Sequence, residues 1–255
     1  MKFTIFDIET AGIRDAALAL AEPFKPFEPL PPFDPKAVKT GNLKDPDKIA
    51  AKIRAEEEAY PQRAKEHEAA YEKARIEYQA KIVSRAALNA LTGRVVAIGI
   101  IGDNCARILS GGEKEILTEF WTLFATTTTP FVGWNSNNFD VPFLMRRSWA
   151  LGVVAPNVYQ GRYLDKRFID LMEVFACGEY GYKAKLDDVA HFLGAEGKYD
   201  GGCTGETFAQ MWESGDLADR EMARAYLQAD LNATKAIAEK LLACPKKEEI
   251  ENEFC

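Results

Sequence analysis

Phe3-Thr-Ile-Phe-Asp-Ile-Glu-Thr10 is the stretch on which the reading of this chain turns. Apolar and β-branched residues at Phe3, Thr4, Ile5 and Ile8 make it a strand, and a period of two sets Asp7 and Glu9 on one face of it. Two like charges side by side repel, and burying them raises their pKa or weakens the sheet. A divalent cation between them removes the repulsion. A solvated strand face would satisfy an isolated Asp-x-Glu equally well, so the metal reading depends on further carboxylates elsewhere.

The chain has 255 residues, 47% of them hydrophobic and 28% charged, the profile of a globular protein with one main domain and an elaboration. No apolar run approaches the roughly 20 residues of a membrane span, and the N-terminus enters a strand at once, so the expectation is a cytoplasmic protein with no membrane association. Five scattered cysteines without C-x-x-C spacing and two histidines point to neither a disulfide framework nor a zinc site. A net charge of -7 argues against a broad basic surface that wraps duplex DNA. It is compatible with a nucleic-acid enzyme whose site collects carboxylates around cations and grips only the end of a strand.

Beyond Ala11-Gly12 the text reads as irregular. Six prolines between Pro23 and Pro35, interleaved with Phe24, Phe27 and Phe33, favour an extended path; the prolines could make a peptide ligand, but the expectation is that the phenylalanines pin the segment to the body. From Asp45 to about Ala90 the pattern is helical, with charges of both signs in near balance, and Pro61 should break or kink it; the reading is a helical arm or hairpin. Residues 13–91 are thus an insertion between the first two core strands of a single domain spanning 1–255. The core resumes with the apolar run Arg94–Ile101, a turn at Gly102-Asp103-Asn104 and a third strand near Ala106–Ser110. Helices follow near Glu113–Phe124 and Phe139–Leu151, separated by a short strand at Pro130–Trp134. The expected class is α/β, a mixed sheet flanked by helices.

Two more stretches carry chemistry. In Gly133-Trp-Asn-Ser-Asn-Asn-Phe-Asp140 the loop-forming residues place Asp140 where a strand ends and a helix begins, the usual location of chemistry in α/β folds, although helix capping would explain it equally. In a helix running from about Leu217 to Leu242, Tyr226 and Asp230 are four apart and share a face. Asp7, Glu9, Asp140 and Asp230 are hard oxygen ligands suited to Mg²⁺ or Mn²⁺.

Phe-Asp-Ile-Glu-Thr, Asn135-x-x-x-Phe139-Asp140 and Tyr226-x-x-x-Asp230, in that order, resemble the three exonuclease motifs of the DEDD superfamily, and the tyrosine places the likeness in its DEDDy subgroup. Phe168-Ile-Asp-Leu-Met172 and Lys185-Leu-Asp-Asp-Val-Ala-His-Phe-Leu-Gly194 are similar to the exonuclease domains of family B DNA polymerases and their stand-alone relatives. The resemblance covers 1–12 and 92–242. It implies a ribonuclease H-like fold and a 3′-to-5′ exonuclease acting on single-stranded DNA through two divalent cations, Mg²⁺ or Mn²⁺, held by Asp7, Glu9, Asp140 and Asp230, with release of nucleoside monophosphates. Tyr226, with an ordinary pKa of about 10, is expected to orient the attacking water rather than act as a strong base. Thr10, Asn135 and Phe139 are the candidates for contacting the terminal nucleotides. RNA 3′-end trimming and a non-catalytic nucleic-acid-binding or polymerase-accessory module stay open as alternatives, with replication or repair proteins as partners.

Overall fold

In the computed structural model, which describes residues 2–25, 27–102, 106–161, 163–197 and 201–243, the opening stretch forms strand β1 (Thr4–Gly12). Its alternation is the one the sequence predicts. Phe6 and Ile8 enter one core, Ile5 and Ala11 the other, and Asp7 and Glu9 share the second face with Ile5 and Ala11.

β2 (Gly93–Ile101) and β3 (Ala106–Ser110) continue the sheet antiparallel to β1, while β4 (Phe131–Gly133) pairs with β1 in parallel. A short hairpin, β5 (Tyr159–Gln160) with β6 (Tyr163–Leu164), stands apart, and β7 (Phe168–Asp170) closes the order β3-β2-β1-β4-β7. This is the mixed sheet expected. Of the turn between β2 and β3, Asp103 and Asn104 lie outside the described residues.

Helices cover both faces. α3 (Glu113–Thr126) and α4 (Asp140–Leu151) bury Ile116, Phe120, Phe124, Val141 and Leu144 on the side of Phe6. There the Phe6 ring meets Phe120, Phe131 and Phe168 at centroid distances of 5.7, 5.9 and 5.8 Å, tilted or edge-on as ring quadrupoles favour. On the other face lie α5 (Leu171–Phe175), α6 (Leu186–Phe192), α7 (Phe208–Glu213) and the long α8 (Leu217–Leu241), which buries Ala223, Leu227, Leu231 and Ile237.

The insertion departs from the sequence reading in two places. The residues after Gly12 are not all irregular, since α1 spans Arg14–Leu20. And α2 runs unbroken over 41 residues, Pro46–Ala86, through Pro61, so the expected break or hairpin does not form. An interior proline removes one backbone donor and crowds the preceding turn, at a cost of about 3 kcal/mol. Contacts on both sides of it offset that cost. Tyr60 and Tyr78 donate hydrogen bonds to the carbonyls of Pro31 and Glu22, while Phe33 meets Tyr60 and Phe24 meets Tyr71 and Tyr78. The phenylalanines pin the proline segment, and what they pin it to is the arm's own tyrosines. By its contacts the chain divides into two compact units, Leu18–Ser84 and the remainder.

One glycine governs how closely α8 approaches the sheet. Gly99 stands opposite Asp7 in the β1–β2 register, and a Cβ there would lie 2.6 Å from Leu231 Cδ1 and 3.0 Å from Leu227 Cδ1. The bare backbone lets the two leucines rest on the strand beside the carboxylates. Gly99→Val should therefore push α8 outward, costing about 1–3 kcal/mol, which thermal unfolding would read as a lowered midpoint; an unchanged midpoint would show that α8 does not depend on that approach.

Candidate active site

Strand β1 and helix α8 bring three carboxylates together. Asp7, Glu9 and Asp230 each place an oxygen within 4.8 Å of the others, although Glu9 and Asp230 are buried. Three acidic groups at that spacing repel one another, and the donor set, all carboxylate oxygen, is the kind that hard divalent cations select. The residues present fit such an ion.

Tyr226 lies one turn before Asp230 on α8, buried, with its hydroxyl hydrogen-bonded to the Asp230 carboxylate. Burial, followed by the charges of Asp230, Glu9 and Asp7, pushes its pKa well above the ordinary tyrosine value. In these surroundings the side chain is a neutral phenol, a donor. The loop Gly201–Thr207 passes close by, with Gly205 near the Tyr226 hydroxyl.

Asp140 stands outside the group of three. β4 pairs with β1 only as far as Val132 opposite Ile5, and Asp140, at the first position of α4, accepts the Ile8 N–H at 3.1 Å further along β1. Ile8 is the residue between Asp7 and Glu9, so Asp140 is tied to the same strand through its backbone. Burial pushes the Asp140 carboxyl up to about 7, against the downward pull of the Ile8 N–H and its own N–H, and the nearby charge of Asp170 adds to the rise.

The loop before Asp140 is organised by Asp170, a residue the motif reading passed over. Its carboxylate accepts the N–H groups of Asn135 at 2.8 Å, Asn137 at 3.0 Å and Met172 at 2.9 Å. It caps α5 and fixes the chain that delivers Asp140. An apolar strand ending in Asp before an apolar helix, Phe168-Ile-Asp-Leu, was the signal available. Asn135 adopts a left-handed backbone, φ 57°, a conformation asparagine tolerates better than most residues. Gly133 makes room for the turn, since a Cβ there would meet Ser136 Cβ at 2.6 Å.

Of the three candidate nucleotide contacts, Thr10 is buried and donates its hydroxyl to the Ala87 carbonyl at 2.7 Å. The same oxygen keeps lone pairs that can accept. Phe139 is half-buried, 5.7 Å from the Phe143 ring, and lines open space together with Asn135. That space is a cleft of about 620 Å³ bounded also by Tyr180, Tyr182 and Lys183. A neighbouring cleft of about 570 Å³ is lined by Asp7, Asp230, Trp134, Asn135, Lys183 and Lys185. The two lysines are the cations that the sequence motifs did not single out.

Residues 75–237 match the model of a family described as predicted 3′-5′ exonucleases related to the exonuclease domain of PolB. Over 128 residues the chain is 33% identical to DNA polymerase 2 of Aeropyrum pernix, an alignment that covers 44% of this chain and 15% of that protein. Among solved structures, the family B DNA polymerase from the hyperthermophilic archaeon Pyrobaculum calidifontis matches with a TM-score of 0.51 at 23% identity, covering 62% of this chain and 23% of that one. The chain thus spans less than a quarter of either polymerase's length. The structural likeness identifies the mixed sheet as ribonuclease H-like. Among the described residues no helix is long and apolar enough to cross a membrane.

The buried Asp140 carboxyl gives a stability prediction. Its folded pKa, about 7, exceeds the ordinary carboxylate value of 3.8, so the protonated form favours folding. Its contribution is fully present below pH 3.8 and is lost as pH rises through about 7. Asp140→Asn, which keeps an acceptor for Ile8, should unfold several degrees higher than the original at pH 8 in chelator and at nearly the same temperature at pH 4; an equal midpoint at pH 8 would contradict the assignment.

Proposed function

We propose a function from the premise that the chain belongs to the family of predicted 3′-5′ exonucleases related to the exonuclease domain of PolB: it removes nucleoside monophosphates from the 3′ end of single-stranded DNA by metal-dependent hydrolysis. The observation that carries this reading is the meeting of Asp7, Glu9 and Asp230 within 4.8 Å, beside an open cleft that two lysines also line. A module that only bound nucleic acid would lose affinity by gathering negative charge against phosphate. DNA rather than RNA rests on the names of the polymerases the chain resembles.

In this reading Asp7, Glu9 and Asp230 would hold divalent cations, with Asp140 completing the set of four carboxylates. Such ions supply charge neutralisation at the phosphate and lower the pKa of water. The chain's own groups do the rest. Asp170 and the Ile8 N–H keep Asp140 against β1. Lys183 and Lys185, lining the cleft of Asp7 and Asp230, offset the negative charge of an incoming strand. Thr10 can accept from a terminal 3′ hydroxyl, Asn135 can hydrogen-bond a sugar or base, and Phe139 offers a ring to a base. Tyr226, kept protonated by burial and by its acidic neighbours, orients water by donating or accepting a hydrogen bond and does not remove a proton as phenolate.

Alanine at Asp7 or Asp230 should abolish Mg²⁺-dependent shortening of a 5′-labelled single strand while the protein stays folded, since each removes a repelling charge. Near-normal turnover in Asp7→Ala would sink the assignment. A circular single strand, which has no 3′ end, should survive; rapid cutting of circles would indicate an endonuclease. Tyr226→Phe should lose rate within the roughly 10²- to 10⁴-fold that proton-handling groups contribute, or less where it only orients water, and keep the wild-type pH profile. An activity that climbs towards pH 10 in the wild type and not in the variant would instead make the phenolate the base.

A further inference from the structure

We propose, as a deepening of the exonuclease reading, that the loop Cys177–Lys183 is a platform for the nucleotides upstream of the scissile one, with Tyr180 as its stacking face and Lys183 as its phosphate contact. The clefts on either side of this loop's end are not separate places. Both are lined by Asn135, Met172 and Lys183, so one trough leads from Asp7 and Asp230 past Asn135 to Phe139 and Tyr180. A strand whose 3′ end lies at the carboxylates has its next nucleotides in that trough.

Tyr180 is fully exposed, at 103% of its reference area, and contributes nothing to either core. Its loop is nevertheless held in shape. Left-handed glycines at 178 and 181, with φ of 87° and 74°, bracket Glu179-Tyr180, and the Tyr182 N–H returns to the Glu179 carbonyl at 3.4 Å. The Tyr182 ring packs 6.0 Å from Phe175, and the Trp134 indole donates to the Ala184 carbonyl at 3.2 Å just beyond the loop. The loop therefore presents a bare aromatic ring on a braced backbone. Unstacked bases bind such rings regardless of sequence, whereas bases in a duplex are already stacked on one another.

Charge sets the orientation of the strand. Glu173 and Glu179 line the far cleft and disfavour phosphates there, while Lys183 stands where the two clefts join. Bases face the wall of the trough, and the backbone passes Lys183.

The test is fluorescence anisotropy with a 5′-labelled oligothymidylate octamer in Ca²⁺, together with steady-state kinetics in Mg²⁺. Tyr180→Ala, a surface change that leaves both cores intact, should weaken binding about tenfold or more, as loss of one stacked base does. Tyr180→Phe should bind within about twofold of the original. In turnover, Tyr180→Ala should raise KM with kcat nearly constant, and the penalty should be larger for the octamer than for a dinucleotide, which cannot reach the loop. Equal octamer affinity for Tyr180→Ala and the original, or no octamer binding by the original, overturns the platform. Weakened binding by Tyr180→Ala in a protein that never shortens the strand would sink the exonuclease reading and still support the platform.

Discussion

Mutual repulsion among Asp7, Glu9 and Asp230 is the constraint around which this fold is built. Two of them come from one strand and the third from a helix nearly the length of the chain away, with Glu9 and Asp230 buried. Nothing in the carboxylates themselves draws them together. What does so is apolar burial on either side of them: Ile5 and Ala11 flank the pair on β1, and Leu227 and Leu231 of α8 rest on Gly99 directly across from Asp7. Each fully buried leucine contributes about 1.5–3 kcal/mol of transfer free energy. The hydrophobic face of α8 thus holds in place an arrangement of like charges that would otherwise open.

The second acidic pair, Asp140 and Asp170, is managed differently. Both are buried, and burial raises both pKa values, but each is surrounded by backbone N–H groups that favour its charged form. Asp170 threads three of them and so determines the path of the Asn135–Phe139 loop. Asp140 takes the place that a longer β4 would have filled beside β1. The loop, the end of β4 and the start of α4 are in this sense one unit, joined by backbone donors to the two carboxylates.

Much of this was legible in the sequence because local pattern and tertiary demand agree. The alternation in Thr-Ile-Phe-Asp-Ile-Glu-Thr gives β1 and its faces directly, and the four-residue step from Tyr226 to Asp230 is a helical one in the helix observed. The resemblance to polymerase exonucleases carried the ribonuclease H-like fold and the family. Other features depend on what meets in space. Gly99 is an unremarked glycine in an apolar run until Leu227 and Leu231 are seen against it. Asp170 is one letter of Phe168-Ile-Asp-Leu-Met172 in the sequence, and its hold on Asn135 and Asn137 spans more than 30 residues. Intrinsic propensity at Pro61 predicts a break or a kink, and of the arm and the hairpin it is the arm that forms, with aromatic clasps at Tyr60, Tyr71 and Tyr78 on either side of the proline in a continuous α2. Thr10 is by its motif a candidate contact to the 3′ end, and its hydroxyl also has a partner in Ala87.

Metal-dependent hydrolysis requires the acidic cluster of Asp7, Glu9 and Asp230 to be a cation site. Calorimetric titration of Mn²⁺ into the protein, alongside Asp230→Asn, measures that with no assumption about substrate. Saturable binding in the original that is lost or weakened at least tenfold in the variant is the predicted result. Absence of binding in the original, or the same affinity in both, would contradict it.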